Sequence, residues 1–270
     1  MLRSSSFSMA LPQRSCRLCK SQRAARVRRL VAILFGLHVS VLAAVAAADG
    51  TVVTYSTPDG FRVLADYYRP ETASDRAVVI LPDPKEGREP WGPIADSLRA
   101  RGYHVLVPDL RGAGESQFQR GIRHDRHHFS EGELAAASID GQSAVRYLRN
   151  LPGSTVRRVA MIGSGEGAPS VLAVPSRGLD GFARILVSPL PAVVARPIPP
   201  DPNGSPSLLI IVGGDDVLGI EAAAGLIPND STKECWLLDG PGRGSDLLRA
   251  RIDLFPALLA RIDRSLGLAP

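Results

Sequence analysis

Three turns in the sequence carry residue types that could perform or bind chemistry. The first, residues 163–167, reads GSGEG and follows an apolar run that starts at Val159. A Gly-x-Ser-x-Gly turn between a strand and a helix presents its central serine as a nucleophile for acyl transfer. Here the two outer glycines are present, but Gly165 stands at the centre and Ser164 precedes it. Because glycine supplies no nucleophile, fold and chemistry have to be derived separately.

The other two turns lie late in the chain. Residues 213–216 read GGDD and end at Asp216, an acid that could orient a general base. Residues 239–244 read DGPGRG and contain Arg243. Arginine stays protonated at any relevant pH and cannot accept the proton of an attacking hydroxyl. Its cation could instead pair with a nearby carboxylate, and we expect it to contact Asp216.

The predicted elements alternate between strand and helix. A hairpin is predicted at residues 51–56 and 61–68, joined by the turn sequence Pro58-Asp59-Gly60. Further strands are predicted at 77–81, 103–107, 159–162, 184–187, 208–212 and 234–238, with helices at 91–101, at 134–151 and after Phe255. Strands separated by helix-length segments pair in parallel through right-handed crossovers. The sequence therefore predicts an α/β fold with a doubly wound, mostly parallel sheet and an antiparallel N-terminal hairpin.

A family resemblance covers essentially residues 51–266. Residues 101–116, RGYHVLVPDLRGAGES, resemble the strand and Asp-x-Arg-Gly-x-Gly-x-Ser loop of the α/β-hydrolase superfamily, of the serine hydrolase, esterase and peptidase type. This resemblance implies that Gly165 stands at the nucleophile position, Asp216 at the acid position and Arg243 at the histidine position. These three residues are then expected to converge at the carboxyl ends of the strands. The short Pro-rich link at 189–206 leaves no room for a lid domain.

The oxyanion hole implied by the resemblance is also altered. One donor would be the backbone N–H of Glu166, whose own carboxylate is expected near the developing negative charge. The second would come from the loop after Leu81, where Pro82-Asp83-Pro84 contains two residues that lack an N–H. We therefore expect a degraded triad that has lost serine hydrolase chemistry.

Two function classes follow from these residues. The first is a pseudohydrolase that acts as a binding or scaffolding module, in which Ser164, Glu166 and Arg243 bind an anionic small molecule or a peptide carboxylate. The second is a weak or unconventional serine hydrolase, esterase- or peptidase-like, that uses a displaced Ser164, Ser245 or a bound water. No cofactor is expected, although Gly163-x-Gly165-x-x-Ala168 also fits a dinucleotide fingerprint.

Metal binding is not expected either. The run His124-Asp125-Arg126-His127-His128 could hold a metal, but in a loop with two arginines it is more typical of a solvated polar segment. Cys16 and Cys19 form a Cys-x-x-Cys pair without a second ligand pair, so they do not indicate a zinc or redox site.

The first 48 residues are typical of a targeting segment. They hold eight basic and no acidic side chains, followed by an apolar run at 30–48 that ends in Ala46-Ala47-Ala48. We expect either a signal peptide cleaved before Asp49 or a membrane anchor, hence a periplasmic or secreted domain at 49–270 that meets the membrane only through an uncleaved segment. Without this segment the formal charge falls from +5 to −3, so the basic chain gives no support for nucleic-acid binding.

Overall fold

The computed structural model describes residues 50–194, 207–227 and 233–268. The predicted targeting segment at 1–48 and most of the link at 189–206 lie outside these ranges. One sheet contains the strands β1 (Thr51–Ser56), β2 (Phe61–Tyr68), β3 (Arg76–Leu81), β4 (His104–Pro108), β5 (Phe118–Gln119), β6 (Ile122–Arg123), β7 (Arg158–Ser164), β8 (Gly181–Val187), β9 (Ser207–Gly213) and β10 (Lys233–Leu238). The α-helices are α1 (Gly92–Arg99), α2 (Glu131–Ala135), α3 (Ser138–Arg149), α4 (Ala168–Leu172), α5 (Val217–Leu226), α6 (Gly244–Ala250) and α7 (Phe255–Ser265).

The sheet is mixed, as the sequence predicts. Its strand order is β10-β9-β8-β7-β3-β4-β2-β5-β6, with β1 paired to β2. The six strands from β10 to β4 run parallel, whereas β2 is antiparallel to β1, β4 and β5. The antiparallel pairing is therefore confined to the N-terminal side, and the carboxyl ends of the parallel strands share one edge.

Helices cover both faces of the sheet. Helices α3, α4 and α5 pack on one face and α1, α6 and α7 on the other, and each face has its own cluster of buried aliphatic side chains. Because both faces are covered, central strands such as β3 (RAVVIL) are apolar along almost their whole length. This core holds the strand ends, and therefore the turns that follow them, in fixed positions.

The Asp-x-Arg-Gly loop is tied down by a buried cation. The Arg111 guanidinium donates to Asp140 on α3 at 2.8 Å and to Asp59 in the β1–β2 turn at 2.8 Å, and it lies over the Phe61 ring. Arg111 and Asp140 are almost completely buried, and burial raises the pKa of the Asp140 carboxyl. Arg111, in the loop after β4, thus connects this loop to the hairpin and to α3.

Two details differ from the sequence prediction. The helix predicted over 134–151 is interrupted between α2 and α3, where the N–H groups of Ala137 and Ile139 bond three residues back and tighten the backbone. The short β5–β6 hairpin and helices α4, α5 and α6 were not predicted, because each is short or lacks a clear apolar period.

No helix in the described ranges is long and apolar enough to cross a membrane.

Candidate functional site

The turn after β7 has the backbone of a nucleophile elbow. Gly165 takes a φ of +50°, and α4 begins at Ala168 after a single 3-10 turn. A Cβ on Gly163 would lie 2.8 Å from the Ala168 Cα, and one on Gly167 would lie 2.9 Å from the Pro82 carbonyl oxygen. Both outer glycines are therefore required by close packing, and the tip of the elbow carries no side chain.

The carboxylate of Asp83, in the loop after β3, occupies the space beside this tip. Its Oδ2 accepts a hydrogen bond from the Glu166 N–H at 3.2 Å, and its Oδ1 accepts one from the Lys85 N–H at 2.9 Å. A Cβ built on Gly165 would overlap Asp83 Oδ2 and would lie 2.9 Å from its carboxyl carbon. In acyl transfer the N–H that follows the nucleophile holds the developing oxyanion. Here the carboxylate of Asp83 accepts the hydrogen bond from that N–H group.

The side chain of Glu166 does not lie where the sequence reasoning put it. We expected its carboxylate at the oxyanion position, but Glu166 Oε2 accepts from Arg126 Nε at 3.1 Å. The Arg126 guanidinium draws the carboxylate away from the elbow, because Arg126 is 10% exposed and needs a counter-charge. The negative charge at the elbow amide belongs to Asp83 instead.

The acid position and the arginine position are in contact. Arg243 Nε lies 3.3 Å from Asp216 Oδ1, and the same oxygen accepts from the Gly219 N–H at 3.0 Å to cap the N-terminus of α5. Asp216 is buried, whereas the Arg243 side chain is 45% exposed. Asp216 Oδ2 has no hydrogen-bond partner among the described residues. A helix cap and the expected contact with Arg243 are thus combined in one carboxylate oxygen.

A second carboxylate from the loop after β3 joins the remaining turns. Glu86 Oε1 accepts from the Ser245 N–H at 2.7 Å and also from the Ser245 hydroxyl. Glu86 Oε2 accepts from the Trp91 indole at 3.1 Å and from the Ser164 hydroxyl at 3.4 Å. Ser164 and Ser245 are each 1% exposed. Ser164 and Ser245 are therefore both buried, and both donate to the carboxylate of Glu86.

The predicted site residues fall into two neighbouring groups. Gly165 and Glu166 meet Asp83, while Ser164 lies against Gly244, where an added Cβ would be 2.8 Å from the Ser164 hydroxyl. Gly244 directly follows Arg243, which brings the Asp216 pair to the same edge of the sheet. The sequence placed the loop Pro82-Asp83-Pro84 at the implied oxyanion hole but gave no role to the side chain of Asp83 or of Glu86. Their position directly after a buried central strand is the signal that could have found them.

A cleft of about 460 Å³ opens beside the elbow. Its walls include the loop after β4 at Gly112–Gly114, the turn at Asp125–His127, Lys85 and Glu166. Nη1 of Arg126 is buried and has no hydrogen-bond partner among the described residues. The cleft is therefore lined by two cations, Lys85 and Arg126, and by two acidic residues, Asp125 and Glu166, of which Glu166 pairs with Arg126.

The histidine-containing turn is a local structure. Asp125 accepts a hydrogen bond from the His127 N–H at 2.9 Å, and this bond lowers the pKa of the Asp125 carboxyl. Within the described ranges, no group of three or more histidine, cysteine, aspartate or glutamate side chains is arranged to hold a metal ion. Cys235 is a free, exposed cysteine, and Cys16 and Cys19 lie outside the described residues.

In a comparison with protein families, residues 63–234 match the dienelactone hydrolase family. The chain belongs to the dienelactone hydrolase family. The matched range includes the elbow, Asp83, Glu86 and Asp216, and it ends before Arg243 and Ser245. Among curated protein sequences, none matches this chain.

Solved structures of α/β hydrolases share the fold of this family member. XC6422 from Xanthomonas campestris, described as an α/β serine hydrolase without a lid, has 19% identity and a TM-score of 0.59 over 83% of this chain and 98% of its own. The esterase Pf2001 from Pyrococcus furiosus has 16% identity and a TM-score of 0.59 over 80% and 91%. The α/β hydrolase GrgF from Penicillium sp. sh18 has 14% identity and a TM-score of 0.61 over 81% and 99%. The fold is that of a lidless α/β hydrolase.

Proposed function

We propose that this protein is a non-hydrolytic member of the dienelactone hydrolase family that acts as a binding or scaffolding module. The observation that carries the proposal is the hydrogen bond from the Glu166 N–H to Asp83, beside a glycine at the nucleophile position. Acyl transfer requires the carbonyl oxygen of the ester substrate to bind at that amide. A substrate would therefore have to displace a carboxylate that belongs to the fold.

The chemistry of the remaining positions supports the same conclusion. Acyl transfer through a covalent intermediate needs a nucleophile, a base that removes its proton and donors for the oxyanion. Gly165 supplies no nucleophile, and Arg243 cannot act as the base. The acid Asp216 is retained, but it holds a guanidinium and the first turn of α5 rather than an imidazole.

The alternative, a hydrolase that uses a displaced serine, depends on Ser164 or Ser245. One contact favours it, since the Glu86 carboxylate that accepts from the Ser245 hydroxyl could take its proton. Against it, each serine is 1% exposed, so an ester carbonyl could reach either hydroxyl only after the loops move apart. The binding module, in contrast, does not require these loops to move.

The ligand of this module is proposed to be an anionic small molecule or a peptide carboxylate. The elbow amide is engaged by Asp83, and α4 is only five residues long, so the helix N-terminus does not provide the anion site. Side-chain cations supply it instead. Lys85 and Arg126 line the cleft, and nearly half of the Arg243 side chain is open to solvent at the same edge. Guanidinium groups pair well with carboxylates.

We also propose that the protein is exported. The support is the basic and apolar pattern of residues 1–48. Mass spectrometry of the protein recovered from fractionated cells tests this: an N-terminus at Asp49 in the periplasm or medium indicates cleavage, and an intact chain in the membrane fraction indicates an anchor. Recovery of the intact chain in the soluble cytoplasm would contradict export.

A fluorophosphonate probe tests the proposed loss of chemistry, because it labels only an activated serine. We expect the native protein to incorporate no more probe than the same protein after heat denaturation, with an active serine esterase as positive control. Specific labelling that disappears in Ser164→Ala or Ser245→Ala would assign that serine as a nucleophile and support the alternative.

Thermal-shift measurements with simple carboxylates test the ligand class, since a ligand that binds only the folded state raises its melting temperature. The expected shift with a benzoate or a peptide carboxylate is reduced in Arg243→Gln and retained in Arg101→Gln, which alters an exposed arginine after α1. A shift that is equal in both variants would place the ligand elsewhere.

A further inference from the structure

A separate cleft of about 340 Å³ lies between the end of α3 and the segment that follows α4. Three arginines line it, Arg146 and Arg149 from α3 and Arg177 from the later segment. The side-chain amides of Gln142 and Asn150 complete the polar lining, which contains no acidic residue. The cleft is at the end of α4 that points away from the elbow, so it is distinct from the site described above.

Among the described residues, no carboxylate pairs with the arginines of this cleft. Arg146 Nη2 donates to the Ser143 hydroxyl at 3.2 Å, and none of the three forms an ion pair with a carboxylate in the described part of the chain. A Cβ on Gly178 would lie 3.6 Å from Arg149 Nη1. The Arg149 guanidinium therefore lies over the backbone directly after Arg177, so the two segments that carry these arginines adjoin at the cleft.

Helix electrostatics explain only part of this arrangement. A cation in the last turn of α3 is stabilised by the free carbonyls of the helix end, which accounts for Arg146 and Arg149. It does not account for Arg177, which comes from a different segment. Residues 49–270 carry a formal charge of −3. A cleft lined by three cations and no acidic side chain therefore has the opposite charge to the domain as a whole.

We propose that this cleft binds a small molecule that carries a phosphate or sulfate group. The planar guanidinium presents paired N–H donors that match the tetrahedral oxyanion, and two or three such groups around one concavity give multiple charge-assisted hydrogen bonds. The amides of Gln142 and Asn150 can bond hydroxyl or ester oxygens of the same molecule. Val145 and Val174 provide an apolar wall for its carbon skeleton. The size of the cleft fits a sugar phosphate better than a polymer.

Calorimetric titration with inorganic phosphate, inorganic sulfate and glucose 6-phosphate, at constant ionic strength, tests the proposal on the full chain. We expect binding of all three, with glucose 6-phosphate the tightest and glucose inert. The double variant Arg149→Gln/Arg177→Gln should weaken binding by at least about tenfold, because each lost charge-assisted bond is worth about a factor of ten or more. The control variant Arg101→Gln, which changes an exposed arginine outside this cleft, should bind like the wild type.

The variants are designed to leave folding intact. All three cleft arginines are exposed, and Arg177→Gln alone, in the segment after α4, provides a milder second test with the same direction of effect. Absence of binding to the wild type at millimolar ligand, or equal binding by wild type and double variant, would overturn the proposal. Binding to vesicles of anionic phospholipid but to none of the soluble ligands would overturn it as well, because it would assign the arginines to a lipid surface.

Discussion

The Oδ2 atom of Asp83 accepts a hydrogen bond from the backbone N–H of Glu166, at the point where a hydrolase of this fold would hold the oxyanion of its substrate. The same oxygen lies where a side chain on Gly165 would have to be. The absence of a side chain at Gly165 and the hydrogen bond that engages the Glu166 N–H thus both involve one oxygen of Asp83. A serine restored at Gly165 would meet a carboxylate rather than open space.

This contact predicts that restoring the triad needs three changes instead of two. Gly165→Ser with Arg243→His should remain inactive toward p-nitrophenyl acetate, because Asp83 overlaps the new side chain and retains the amide. Adding Asp83→Ala should raise turnover at least about a hundredfold over the double variant, since one oxyanion donor is worth about that factor. Adding Asp216→Ala to the triple variant should abolish the gain. Equal rates for the double and triple variants would show that Asp83 is not the obstacle.

A second prediction concerns the Asp216–Arg243 ion pair. One partner is buried and the other is 45% exposed, so we expect a coupling energy of about 0.3 to 1 kcal/mol, in the range of surface ion pairs. Urea unfolding of Asp216→Asn, Arg243→Gln and the double variant measures it. Asparagine is chosen because it can still accept from the Gly219 N–H and keep the cap of α5. No measurable coupling, or about 3 kcal/mol or more, would be inconsistent with this geometry.

The third prediction addresses Glu86, which connects three turns at the strand ends. Glu86→Ala should lower the free energy of unfolding by about 2 to 4 kcal/mol, because it leaves the buried Trp91 indole and the Ser245 N–H without acceptors. The matched control is Glu89→Ala, an exposed acid three residues later, which should change stability by less than about 0.5 kcal/mol. Similar losses in both variants would show that Glu86 does not hold the loops together.

The fourth prediction is a pH dependence. Arg88 contacts Asp66 at 2.9 Å and Asp109 at 3.1 Å, and burial raises the pKa of both carboxyls while this guanidinium lowers it. Arg88→Gln should raise both pKa values further. The variant should lose about 1 to 3 kcal/mol of unfolding free energy. This loss should have its full size at neutral pH, above the folded-state pKa values.

The sign follows from the protonation states of these two carboxyls. As the pH falls through their raised folded-state pKa values, they become neutral and no longer need the guanidinium. The difference in unfolding free energy between wild type and Arg88→Gln should therefore become smaller as the pH falls toward the ordinary pKa of aspartate. Denaturant unfolding at about pH 7 and at about pH 4 measures it. A difference that grows on acidification would contradict the assignment.

Much of the fold could be predicted because its elements obey simple patterns. The hairpin bounds at Thr51–Ser56 and Phe61–Tyr68 agree with the structure, since a turn sequence separates two β-rich runs. The buried parallel strands are continuous apolar runs, and their predicted bounds are correct to within a few residues. The break before α3 was missed, because apolar spacing continues through it while the backbone tightens locally.

The site was predictable in position but not in its contacts. The turns at Gly165, Asp216 and Arg243 were placed by their resemblance to the corresponding turns of the α/β hydrolases. The carboxylates of Asp83 and Glu86 were not, because their direction depends on how the loop after β3 folds over neighbouring turns. Spacing along the sequence carries no information on that direction.

The most direct test of the account is steady-state hydrolysis of p-nitrophenyl acetate by the purified wild-type protein. With a glycine at the nucleophile position, an arginine in place of the base and Asp83 on the oxyanion donor, the rate should equal that of a heat-denatured control at every substrate concentration. Saturable turnover that is lost in Ser164→Ala or Ser245→Ala would contradict the account and assign hydrolysis to a displaced serine.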